Sequence, residues 1–395
     1  MGPYITLSLS ACLFLCCWGV LSQSPSYGER GSDLGIKVFQ QVALSRPQEN
    51  VLLSPHGIAS ILGMLLPGAD GETRHQLVTA LRYKKNGPYK MLKKLHKSLT
   101  SKLNQDIVTI ANALFTQQGF DIHDKFVATN KANFQCEVRP LDFANTDGAA
   151  TSINSWVKNH TKGVIPRLIE PQMLDPAFTR LVVLNSIYFK GLWKSRFQLE
   201  NTKMRNFHLA DGTISKVPMM SQLNVFNIGQ AVTPQGLKFK VVELPYHGNI
   251  SMLIALPPEE DVSLSAIIPH VSTTAVQGWV RLLTQRKVRL LLPRFSAEAE
   301  VDLKDPLSAL GITNMFSMGK ADFKHISAEP LHVSKALQKA KIEVTEEGTK
   351  AAAATTAILL ARSSPPWVTV DRPFLFIIRH NPTGTILFMG QMNKP

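Results

Sequence analysis

The 395-residue chain has an ordinary globular share of apolar and charged residues, so it can bury a large core. No Gly/Ser-rich or Pro-rich linker, single-sign charge block or internal repeat divides it, which argues for one large domain instead of two or three. Its formal charge of +14 needs a partner or another reason.

The first 22 residues carry no charged side chain, and Ile5 to Leu21 is mostly apolar. That run is short for a membrane span and is followed by polar Ser22-Gln23-Ser24. Residues 1–22 are therefore expected to be a secretory signal peptide, although the usual Lys or Arg of its first part is missing. Gly19 and Ser22 both suit cleavage; an uncleaved N-terminal anchor is the alternative. Residues 23–395 are then a secreted, extracellular domain with no transmembrane anchor, expected to be a monomer. Nucleic acid is excluded as a partner by that location, which leaves sulfated glycans and anionic cell surfaces. Cys12, Cys16 and Cys17 leave with the signal, so the remaining Cys136 has no internal disulfide partner and reads as a buried, inert thiol.

Residues 33–44 read as a helix with Leu34, Val38 and Val42 on one face. Ser54-Pro55 opens a second helix through Ile58–Leu66, and helical patterns continue through 71–102. The run 82–102 holds Arg82, Lys84, Lys85, Lys90, Lys93, Lys94, Lys97 and Lys102 and no acidic residue. At helical spacing Lys90, Lys93, Lys94 and Lys97 share an arc of about 100°, opposite Leu92, Leu95 and Leu99. A solvated outer face is the bland account. An all-basic face repels itself, so a polyanion such as heparin or heparan sulfate is the better one, with Lys84 and Lys85 as flanking contacts.

Strand-like runs then dominate: Ile107–Phe115, Leu181–Phe189, Lys238–Leu244, Ser251–Leu256, Val288–Leu292, Ala340–Val344, Phe374–Arg379 and Thr385–Met389. The expected class is α+β, a helical bundle against large, mostly antiparallel sheets. Asn159-His-Thr161 and Asn249-Ile-Ser251 are glycosylation acceptors by pattern. Asn159 lies in a polar stretch and is favoured over Asn249, which abuts an apolar run. Enzyme signatures are absent: there is no G-x-S-x-G, H-E-x-x-H, P-loop or C-x-x-C, the His residues show no metal-ligand spacing, and no cofactor is implied.

Residues 340–367 are unusual on local physics. A strand-like run gives way to Glu346-Glu347 and Gly348, then to the small-residue tract Thr349 to Ala357. Ile358-Leu359-Leu360, Ala361-Arg362-Ser363-Ser364 and Pro365-Pro366 follow. Four consecutive alanines, Ala351, Ala352, Ala353 and Ala354, favour helix. Gly348 and the β-branched Thr355, Thr356 and Ile358 oppose it. Read with period two, Thr349, Ala351, Ala353, Thr355, Ala357 and Leu359 form a neutral face that can enter a packed core without desolvating a charge. This loop can become a central strand.

Here the residues resemble a family. Glu346-Glu347-Gly348-Thr349 with the alanines that follow is similar to the hinge of serpins, and the spacing from Glu346 to Arg362 matches their scissile bond. Asp371-Arg372-Pro373-Phe374, Asn381-Pro382-Thr383-Gly384, Asn185 to Trp193 and Asn50 to Pro55 resemble further family blocks. Gln338 departs from the pattern, since many serpins place a His there under the central sheet; the change is expected to weaken that network.

The resemblance implies a serpin fold with a reactive-centre loop at about 346–366, and a suicide-substrate inhibitor, not an enzyme. Arg362 would fill the primary pocket of a trypsin-like serine protease of the thrombin, urokinase, plasminogen activator, plasmin or trypsin type. Attack would break Arg362–Ser363 and leave a covalent acyl-enzyme, and Glu347 to Leu360 would then insert as an extra strand. The basic run matches the heparin-binding helix of family members that bind heparin, so heparin is expected to accelerate the reaction. A non-inhibitory secreted glycan-binding serpin, or a matrix protein with an inert loop, remains the alternative; a hydrolase would need a reactive constellation that the sequence does not display.

Overall fold

The computed structural model describes residues 27–82, 89–99, 101, 107–348 and 365–395. The first third is helical: α1 (Tyr27–Ser45), α2 (Pro55–Leu65), α3 (Gly71–Leu81) and α4 (Tyr89–Leu99), with the short strand β1 (Val51–Leu53) between the first two. Ser54 starts α2 by accepting the Gly57 N–H at 3.0 Å, with Pro55 in the first turn, where a missing N–H costs nothing. Every residue of α2 is buried. Asp70 caps α3, and left-handed Arg82 ends it.

Strands and helices then alternate. β2 (Val108–Gln117), α5 (Asp124–Phe134), β3 (Glu137–Leu141), α6 (Thr146–His160) and β4 (Leu181–Lys190) are followed by β5 (Lys203–His208), β6 (Ile214–Val232), β7 (Lys238–Pro245) and β8 (Ile250–Leu256). The chain ends through α7 (Thr273–Leu282), β9 (Thr284–Pro293), β10 (Phe295–Asp302), α8 (Lys304–Ala309), β11 (Val333–Val344), β12 (Trp367–Thr369), β13 (Phe374–His380) and β14 (Thr385–Met392).

The α+β class holds, with two corrections. Strands dominate beyond residue 107 as expected, but α5, α6 and α7, which the sequence reading did not place, lie among them. In α6 only Ala149, Ala150, Ile153, Trp156 and Val157 are buried, a sparse apolar stripe that a composition scan overlooks. The 19-residue β6 went unseen because Pro218 and Gly229 break its pattern; its pairing with β5, β7 and β9 supplies what local propensity lacks.

Among the described residues the strands form two sheets. The larger runs β1-β14-β13-β8-β7-β6-β9-β12, with β5 also on β6; the smaller runs β10-β11-β4-β2-β3. Alternation gives the smaller sheet two buried faces. Ile187, Phe189 and Ile342 pack against the larger sheet, while Val182, Leu184 and Leu337 lie under Ile153, Trp156 and Val157 of α6. At the centre of the smaller sheet β4 and β11 pair in parallel, from Val333–Leu181 to Glu343–Lys190.

Candidate functional site

The segment of interest leaves the smaller sheet at the end of β11, beside the end of β4. The Trp193 indole donates to the Thr345 carbonyl at 2.7 Å, and its backbone N–H donates to Glu347 O at 3.1 Å. The Phe197 N–H donates to Glu346 O at 3.2 Å, and Gly348 forms a parallel bridge to Trp193. Glycine is required at 348 by space: a Cβ there would lie 2.5 Å from Trp193 O and 2.9 Å from Arg196 Cβ. Trp193 is itself held by stacking on Tyr246, with ring centres 3.9 Å apart.

Both hinge carboxylates are engaged. Glu346, only 11% exposed, accepts from Thr202 Oγ1 at 2.8 Å and faces Arg294 at 3.6 Å. Glu347 pairs with Lys190 at 3.1 Å. Burial, aided by the nearby charges of Glu343 and Glu347, pushes the Tyr188 phenol up to about 12, so it stays neutral. Thr349, Ala351, Ala352, Ala353, Ala354, Arg362 and Ser363 lie outside the described residues. On the far side of the loop, Pro366 O accepts the Arg289 N–H at 3.0 Å and β12 pairs in parallel with β9.

Beneath the β4–β11 seam runs a buried polar network. Register places Gln338 opposite Asn185. The Gln338 amide donates to Ser54 O (2.9 Å) and Asn185 Oδ1 (3.3 Å), and its Oε1 accepts the Ser54 N–H (2.7 Å). Asn185 donates on to Asn112 (2.8 Å), and Asn112 to Phe134 O (3.0 Å). The expected weakening by Gln338 is therefore overturned: its amide supplies a donor and an acceptor together, and both are used. Gly57 leaves room for it, since a Cβ there would lie 2.0 Å from Asn185 Oδ1. At the other end of the seam Ser334 Oγ, on the bulge of β11, accepts the Arg180 N–H at 2.9 Å.

Helix α4 carries the basic run. Leu92, Leu95 and Leu99 are buried and Lys93 and Lys97 exposed, as its period requires. Lys90 and Lys94 belong to the same helix, while Lys84 and Lys85 fall outside the described residues. Asn159, in the last turn of α6, and Asn249, in the left-handed turn between β7 and β8, are both exposed, so solvent access does not separate them. Cys136 is buried and free, and burial pushes its thiol well above the usual range, as expected of an inert side chain. No helix among the described residues is long and apolar enough to cross a membrane.

Sequence reasoning missed Trp193, Thr202 and Arg294 as hinge partners. Trp193 closes one of the family-like blocks, which was its only signal; the other two gave none.

The sequence model of the serpin (serine protease inhibitor) family matches residues 29–395, and the chain belongs to that family of inhibitors, not to an enzyme family. It is 58% identical to glia-derived nexin of Rattus norvegicus over 374 residues, 94% of each chain, and 57% identical to that of Homo sapiens over 373 residues, again 94% of each. Plasminogen activator inhibitor 1 of Bos taurus is 44% identical over 368 residues, 92% of this chain and 91% of the other. The crystal structure of native protease nexin-1 with heparin superposes with a TM-score of 0.90 at 55% identity, covering 93% of this chain and 99% of that one.

Proposed function

We propose that this serpin is secreted after loss of residues 1–22 and traps trypsin-like serine proteases at Arg362–Ser363. One observation carries the reading: β11, which leads into the loop, is joined to β4 in parallel, and its hinge rests at the open end of that joint. A segment turning back from Gly348 runs antiparallel to both strands. Its entry replaces one parallel joint by two antiparallel ones, which adds a whole ladder of backbone hydrogen bonds, and antiparallel pairing is slightly the more stable kind. The tract from Thr349 offers a neutral face for that position. Once protease attack has freed the loop, insertion is downhill and carries the acylated enzyme with it.

The exposed lysines of α4 support a second element, an accelerating heparin or heparan sulfate chain that recruits the inhibitor to cell surfaces. The solved relative bound to heparin is in keeping with this. Asn159 and Asn249 are proposed glycan acceptors. The test is an SDS gel after incubation with thrombin or trypsin, where a covalent adduct is expected. Arg362→Ala should slow adduct formation by about thirtyfold to a few thousandfold, about 2–5 kcal/mol for losing one member of a desolvated charge pair. An unaffected variant would place the bait bond elsewhere.

A further inference from the structure

The end of the larger sheet formed by β5, β6, β9 and β12 presents a surface that the mechanism above leaves unused. Alternation sends Val288, Leu290 and Val368 into the core and turns Lys287, Arg289 and Trp367 outward. The registers set those neighbours in rows, Val225 beside Lys287 and Leu223 beside Arg289 and Trp367. Val225, Leu223 and Trp367 are 51%, 42% and 53% exposed, and the Arg289 guanidinium lies 5.4 Å over the Trp367 ring. A depression of about 430 Å³ opens alongside, lined in part by Met204, Arg205 and Lys216. Its one carboxylate, Asp371, is engaged by Arg372 at 2.8 Å. Adjacent exposed apolar side chains ringed by cations are the composition of a protein contact.

We infer that this face is a second contact for the captured protease, receiving an apolar and acidic part of its rim while Arg362 occupies the primary pocket. The inference rests on the inhibitory reading. Chain continuity selects the occupant. Three residues lie between Ser363 and Trp367, so the two are four residue steps apart, at most ~14 Å of extended chain. The Arg289 N–H to Pro366 O bond ties that segment to β9. A globular domain of about 200 residues has a radius of gyration near 16 Å, so an enzyme seated on the bait bond reaches this face. A polyanion would use the cations and leave the apolar side chains wet.

The test uses the full chain with thrombin, urokinase and trypsin as probes, reading association rate and stoichiometry of inhibition separately. The triple variant Leu223→Ser, Val225→Ser, Lys287→Glu and, independently, Trp367→Ala should slow association with at least one probe by about fivefold or more, at unchanged stoichiometry and melting temperature. Trp367→Phe should restore most of that rate. Smaller changes with all three probes would overturn the proposal, and so would a change confined to stoichiometry. Earlier elution from heparin would reassign the face to a polyanion, and loss of a wild-type dimer would reassign it to a second copy. A wild-type chain that forms no adduct would remove the inhibitory reading and this proposal together. Unaffected variants beside an active wild type would remove the proposal alone.

Discussion

The hinge and helix α4 use charge in opposite ways. At the hinge every carboxylate has a partner: Glu346 is set against Arg294 and Thr202, and Glu347 against Lys190, over the packed Trp193–Tyr246 stack. On α4, Lys93 and Lys97 stand in solvent above a buried row of leucines, on a helix with no acidic residue. Paired charge positions the protein's own chain; charge without an acidic partner among the described residues is free to meet one outside it. The partly buried pair is worth little net stability but disfavours other placements of the hinge, whereas the exposed face would lower the free energy of binding the proposed polyanion.

The largest effect should come from carrying an uncompensated charge into the dry region. Thr349 must enter the sheet before anything downstream, so Thr349→Arg would bury an unpaired guanidinium at a cost of several kcal/mol. Docking and acylation at Arg362 should persist while insertion slows, and the variant should be cleaved and released as a substrate. Thr349→Ala should remain an inhibitor. Covalent adducts as abundant as wild type from the arginine variant would end the insertion mechanism.

Emptying the exposed face comes next. Replacing Lys90, Lys93, Lys94 and Lys97 together with alanine should lower heparin affinity by on the order of a hundredfold at low salt and leave uncatalysed inhibition nearly intact. Elution from immobilised heparin at the wild-type salt concentration would move the polyanion site elsewhere.

A smaller change sharpens the view of the buried network. Gln338→Ala removes three hydrogen bonds and strands the Ser54 N–H, and should cost about 2–3 kcal/mol, read as a lower denaturant midpoint at unchanged slope. A neutral outcome would mean that water replaces the amide. Arg294→Ala should have the least effect, under about 1 kcal/mol, because its guanidinium is nearly half exposed and Glu346 keeps the Thr202 hydrogen bond. Its signature is kinetic: a looser hinge and a changed stoichiometry of inhibition with little change in stability.

Much of the candidate site was legible without coordinates, for reasons that differ by residue. The spacing from Glu346 to Arg362, the neutral alternation of the tract between them and the lysine arc of α4 are local patterns, written in consecutive residues with periods of two or 3.6. The strand runs at Leu181, Phe374 and Thr385 were equally visible, because strands buried on both faces are almost continuously apolar, and the run at Lys238 showed by its alternation. β6 and α6 were not, since one depends on three pairing partners and the other on five scattered apolar residues.

Local order thus carries the expectation of an insertable, arginine-bearing loop, and it determined the basic helix. Only the tertiary structure decided what holds them. The Trp193 indole reaches Thr345 from 152 positions away, Thr202 reaches Glu346 from 144, and Ser54 meets Gln338 across 284. It also decided that Gln338 serves the network beneath the seam as donor and acceptor, and that Leu223, Arg289 and Trp367 share one outward row. Contacts of such range follow from strand order and register, which are set by the packing of the whole core and leave no periodic trace in the residues that make them.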